Sequence, residues 1–144
     1  MYKHILIATD GSDLAAKAVN TGLALAKALG AKATAVNATE PWTAMVSGEA
    51  ALAFPIEEYE KSAAENAARL LSVVTAEAKK QGVACETVHV NDFPAEAIIE
   101  TAKARGCDLI VMSSHGRRGI ARVLLGSQAT RVLTMSTVPV LICR

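Results

Sequence analysis

Five short apolar runs, each of strand rather than helix length, alternate along this chain with segments whose apolar residues recur every three or four positions. Few folds satisfy that alternation. Lys3 to Thr9, Ala31 to Ala38, Val83 to Val90, Cys107 to Met112 and Val138 to Cys143 read as strands. Between the first two, Leu14, Ala18, Gly22, Leu25 and Leu29 keep helical spacing until Gly30. After a long connection over residues 39 to 55 with Pro41, Gly48 and Pro55, the spacing resumes at Ile56, Tyr59, Ala63, Ala67, Leu70, Val74 and Ala78, and Gly82 ends it. Ala95 to Ala104 forms a shorter helix with Ile98, Ile99 and Ala102 inward, closed by Gly106, and Ser127 to Met135 forms the last. The predicted class is α/β: one open, mostly parallel sheet with helices on both faces, where right-handed crossovers put them. In such a sheet the ligand crevice lies beyond the carboxyl ends of the strands, at the point where strand order reverses. The loops to inspect are therefore 9–12, 38–55, 91–94 and 113–127.

Composition narrows the context. A length of 144 residues predicts one domain over 1–144, and 51% hydrophobic against 20% charged residues excludes disorder. No apolar run approaches the ~20 residues of a membrane-spanning helix, and the N-terminal run Ile5 to Ala8 is too short for a signal-peptide core, so a soluble protein is expected. Cys85, Cys107 and Cys143 form no metal-binding or disulfide pattern and suit a reducing cytoplasm. A formal net charge of +1 supplies no field to recruit nucleic acid or an anionic membrane. Basic chemistry must be local, as at Arg117, Arg118 and Arg122.

The stretch DLIVMSSHGRRGIARVLLGSQATRVL carries the most specific signal. A buried strand leads into a loop punctuated by Gly116, Gly119 and Gly126, which allow close backbone approach and positive φ, and a helix opens near Ser127 with free N–H groups aimed into the same space. Phosphate is the expected guest. Arg117 and Arg118 are placed to meet phosphate oxygens or to stand as a solvated pair. His115 reads first as a residue that shapes the loop, and Asp92, in N-D-F-P, reads as a helix cap. His4 and His89 have no partner at ligand spacing and are assigned no chemistry.

These segments make the chain resemble the universal stress protein family. KHILIATDGS resembles that family's first strand and turn, VPVLICR its last strand, and SSHGRRGIARVLLGS its nucleotide-binding signature, G-x-x-G followed by nine residues and G-[ST]. Gly116, the nine residues Arg117 to Leu125, and Gly126-Ser127 match in register, whereas the first signature glycine is Ser113 here. Serine brings a Cβ toward ribose or phosphate, with a hydroxyl that offers a donor to a phosphate oxygen. The resemblance implies a single doubly wound, Rossmann-like five-stranded sheet in the order 3-2-1-4-5, with the glycine loop facing Asp10 across the switch point.

It further implies an ATP site, with or without Mg²⁺, formed by Thr9, Asp10, Ala38, Met112, Ser113, His115, Gly116, Arg117, Arg118, Gly119, Gly126, Ser127 and Gln128. Asp10 is the candidate for a ribose hydroxyl or, through water, magnesium; its simpler role is a turn-forming aspartate. Trp42 offers a stacking face for adenine, though packing of its loop on the body is the favoured reading. A role in stress response and a homodimer through residues 138–143 are implied as well. The latter agrees with an apolar edge strand lacking lysine or glutamate, in which Pro139 limits new pairing to the residues after it.

Three other readings compete with a nucleotide-binding module. A slow ATPase or phosphotransfer enzyme lacks a Walker loop and an evident water-positioning base. A receiver domain needs a phosphoacceptor Asp after the third strand and a Lys after the fifth, where only Arg144 remains. A dimeric interaction protein of the same fold without nucleotide is favoured by Ser113 alone.

Overall fold

The computed structural model describes residues 1–116 and 124–144. Strands β1 (His4–Ala8), β2 (Lys32–Thr39), β3 (Cys85–Asn91), β4 (Leu109–Ser113) and β5 (Val140–Cys143) form one sheet in the order β3-β2-β1-β4-β5. Each neighbouring pair is parallel, with Ile7 opposite Ala35 on one side and Val111 on the other. The expected topology is present. Because β1 sits at the centre with both faces covered, all five of its residues are buried, and Ile5 to Ala8 read as a continuous apolar run.

Helices α1 (Asp13–Leu29) and α2 (Ile56–Gln81) cover one face, and α3 (Pro94–Arg105) and α4 (Ser127–Met135) cover the other. On the first face Ile5, Ile7 and Val111 pack with Leu23, Leu71 and Val74; on the second Leu6, Val36, Ile110 and Met112 pack with Ile98 and Val132. Alternate residues of β1 thus feed two separate cores.

The buried stripes keep part of the expected ones, Ala18 and Gly22 in α1 and Ala67, Val74 and Ala78 in α2, and depart from the rest. In α1 the buried side chains are Ala15, Ala18, Val19, Leu23 and Ala26 beside Gly22, whereas Leu14 and Leu25 are half-buried and Leu29 is exposed. The small residues permit this. A Cβ on Gly22 would stand 2.7 Å from Ile7 Cδ1, so the helix lies directly on β1 along its Ala/Gly ridge and its leucines fill the margins. In α2 burial begins at Ala67 and continues through Leu71, Val74 and Ala78, leaving Leu70 half-buried. The first turns of α2 instead hold the 39–55 connection: Tyr59 donates its hydroxyl to the Glu40 carbonyl at 2.6 Å, and Phe54 packs between Trp42 and Tyr59.

Strand ends shift by one or two residues. Strand β5 starts at Val140 rather than Val138, since Pro139 has no N–H and joins only through its carbonyl, which accepts from Ile110 N–H at 3.0 Å. No helix among the described residues is long and apolar enough to cross a membrane.

Candidate functional site

Beyond the carboxyl end of β1 the chain turns sharply into α1. Thr9 Oγ1 accepts from Gly11 N–H at 3.2 Å, Asp10 Oδ1 accepts from Ser12 N–H at 2.9 Å, and Ser12 caps α1 by accepting from Ala15 N–H. Gly11 supplies the positive φ this turn requires, 78°. Asp10 is therefore a turn-forming aspartate, and its other carboxylate oxygen lies close to the Gly116 backbone. A Cβ on Gly116 would lie 2.9 Å from Asp10 Oδ2.

The loop after β4 is pinned at both ends. Ser114 N–H donates to the Cys143 carbonyl of β5 at 2.7 Å, and the Ser114 carbonyl accepts from Gly126 N–H at 2.8 Å. Gly126 is the N-cap of α4 and has no side chain with which to cap the first N–H groups of that helix. Positive φ was expected at the loop glycines and is absent at Gly116 and Gly126; Gly126 has φ −68°. Crowding explains that glycine instead. A Cβ at 126 would lie 2.8 Å from the Ser114 carbonyl oxygen.

Two side chains stiffen the same loop. Ser113 donates its hydroxyl to the His115 carbonyl at 2.8 Å, so the donor expected to serve a phosphate is engaged within the loop. His115 Nδ1 lies 3.0 Å from Ser114 Oγ, while its Nε2 is buried and has no hydrogen-bond partner among the described residues. That packing agrees with a loop-shaping role.

Together these parts enclose a cleft of about 210 Å³ at the switch point between β1 and β4. Its walls include Thr9, Asp10, Ala38, Met112, Ser113, His115, Gly116, Gly126, Ser127 and Gln128, all nominated from sequence. Arg117, Arg118 and Gly119 lie outside the described residues. Sequence reasoning missed Ala8, Val36, Pro94, Ile98, Ser114 and Ala129, which complete the lining. Most are ordinary core residues, and nothing in their local pattern separates a cleft wall from a core.

Neighbouring features resolve the remaining candidates. Asp92 is not the cap of α3: Phe93 is, and the Asp92 carboxylate accepts from Phe93 N–H at 2.7 Å. With Pro94 at the first helical position, the Ala95 N–H is free to donate to Gln128 Oε1 of α4 at 3.2 Å, and the Glu96–Arg131 ion pair ties the same helices. Trp42 stacks on Phe54 with ring centroids 5.7 Å apart and is not part of the cleft lining, as its packing role predicts. His4 and His89 bond Thr34 and Thr39, at 2.7 and 2.8 Å, and burial lowers both imidazole pKa values below the ordinary range.

Comparison with known proteins agrees with this architecture. The chain is 32% identical over 148 residues to universal stress protein YxiE of Bacillus subtilis, covering 100% of both chains. It superposes on universal stress protein UspA from Lactobacillus plantarum with a TM-score of 0.88, covering 99% of this chain and 98% of that one at 23% identity. A universal stress protein crystallised in complex with cAMP matches with a TM-score of 0.73 and 27% identity, covering 99% and 97%. The model of the universal stress protein family matches residues 1–144, and the chain belongs to that family.

Proposed function

We propose that this chain is a single-domain ATP-binding module of the stress response that acts through its associations rather than by turnover. The observation that carries the reading is the junction of Ser114, Gly126 and α4, which turns a helix N-terminus with a glycine N-cap toward a cleft at the sheet's switch point. Helix N–H groups and the helix dipole favour an anion there. Adenine lies against Val36, Ala38 and Ile98, the sugar near Asp10, and the phosphates at Gly116, Gly126, Ser127 and the Gln128 backbone. Arg117, Arg118 and Gly119, outside the described residues, are assigned to the phosphates on the sequence resemblance alone. The cAMP complex of a relative supports an adenine nucleotide as the guest. Asp10 is the carboxylate suited to hold Mg²⁺ through water, since that ion is commonly bound by one or two carboxylates together with substrate phosphates.

The module works as a cytoplasmic homodimer joined through β5, an edge strand on which Leu141 is exposed and Val140 and Ile142 are half-buried. The reading is tested by denaturing the purified protein, chromatographing what is released, and titrating ATP and GTP into nucleotide-free protein. Released adenine nucleotide and preferential ATP binding are expected. No released nucleotide together with no heat on ATP addition would overturn the proposal.

A further inference from the structure

Ser113 occupies the place of a signature glycine, and its hydroxyl proton is already committed. It donates to the His115 carbonyl at 2.8 Å, and the residue is buried on the cleft wall. A serine hydroxyl has one proton and two acceptor lone pairs. With the proton used, the oxygen meets a ligand only as an acceptor. It has nothing to give a phosphate oxygen or a purine ring nitrogen, which themselves accept.

On an adenine nucleotide the donors are the sugar hydroxyls and the exocyclic amine. Ser113 stands three positions before Gly116, in the loop assigned to phosphate. The sugar is bonded directly to the phosphate, whereas the amine is at the far edge of the base, so the sugar is the donor within reach. Across the cleft, the Asp10 carboxylate is a second acceptor. Donors thus gather at the N-terminus of α4 and acceptors at the ends of β1 and β4.

We infer that Ser113 is a specificity-determining residue of this site, its Oγ accepting a hydrogen bond from a ribose hydroxyl and favouring ribonucleotides over deoxyribonucleotides. The inference rests on the nucleotide reading above. ATP, 2′-deoxy-ATP and 3′-deoxy-ATP should be titrated calorimetrically into wild type, Ser113→Ala, Ser113→Gly and Ser113→Thr. Wild type should bind ATP about tenfold more tightly than at least one deoxy analogue, a difference of about 1.4 kcal/mol. That ratio should fall to about one in the alanine and glycine variants and return with threonine, which keeps the hydroxyl. Loosening of the Ser113–His115 turn weakens all three nucleotides together and cancels in the ratio, as in a double-mutant cycle. A wild-type ratio near one, or a ratio unchanged across the variants, overturns the inference while leaving ATP binding intact. Failure of wild type to bind any of the three refutes the nucleotide reading itself.

Discussion

Gly126 is the position where a single methyl group should do most damage. Its backbone has φ −68° and ψ 158°, a conformation open to any residue, so no torsional cost arises on substitution. The obstacle is steric. A Cβ would lie 2.8 Å from the Ser114 carbonyl oxygen and 3.4 Å from His115 Cα, both backbone atoms that cannot rotate away. Restoring ordinary contact demands a displacement of roughly 0.6 Å. That displacement pulls against the 2.8 Å bond from Gly126 N–H to the same oxygen.

Overpacking costs about 1–3 kcal/mol and a strained hydrogen bond about 1 kcal/mol, so Gly126→Ala should destabilise by about 3 kcal/mol. For a chain of this length the melting temperature should fall by about 9 °C. Because the shifted peptides frame the proposed anion site, ATP affinity should fall more than hundredfold, about 2.8 kcal/mol. Gly126→Val should abolish binding. Gly126→Ser separates the causes, since serine is a better N-cap than alanine but carries the same Cβ. Calorimetric titration and thermal unfolding of the three variants decide the matter. Wild-type ATP affinity in Gly126→Ser would refute the crowding argument, because the cap would then be what matters.

Other positions yield shorter tests. Gly22→Ala places a Cβ 2.7 Å from Ile7 Cδ1 and should destabilise by about 1 kcal/mol in urea unfolding, as overpacking outweighs the gain in helix propensity; Ile7→Val should relieve part of the loss. Leu141→Lys or Ile142→Lys should convert the proposed dimer to folded monomer in sedimentation, and a wild-type monomer at micromolar concentration would sink the β5 interface. The pKa of His4 is lowered by burial first and by nearby Lys32 second, opposed by the Arg105 carbonyl, Glu86 and Asp108. The folded chain therefore resists a proton that the unfolded chain accepts, and stability should fall as pH drops below about 6.5, with a shallower slope in His4→Gln. Burial pushes the Cys107 thiol up to about 11, so at pH 8 iodoacetamide should modify it in unfolded but not in native protein.

The architecture was legible because a parallel sheet buried on both faces writes itself as apolar runs, and helices between the runs leave little topological choice. The helix faces were less so. Periodicity weights large side chains: in α1 it selected Ala18 and Gly22, which are buried, together with Leu14, Leu25 and Leu29, which are not, and it passed over Ala15, Leu23 and Ala26. The actual contact is an Ala/Gly ridge on which Gly22 touches Ile7, and a hydrophobicity pattern registers small residues only faintly. Asp92 failed for a related reason. Its local sequence satisfied a capping pattern, but the donor at Ala95 is met by Gln128, thirty-three residues away, a partner that no local window contains.

The glycines show where sequence-level reasoning about the site stops. Gly30, Gly82 and Gly106 end helices at positive φ with open space around a would-be Cβ, so their requirement is conformational. Gly22, Gly116 and Gly126 show the reverse: none has positive φ, and a Cβ at each would meet Ile7, Asp10 Oδ2 or the Ser114 carbonyl at under 3 Å. In the sequence both kinds are the same letter. The distinction predicts different tolerance, since asparagine can adopt the left-handed conformation at Gly30, whereas any L-residue at Gly126 brings the offending Cβ. Gly126 thus reports backbone held against backbone, which brings the start of α4 to the cleft. Ser113 fits the same frame, because the approach that excludes a Cβ at Gly126 does not exclude one at Ser113, leaving room there for a hydroxyl that fixes the turn and that the proposal above turns to a ligand as an acceptor.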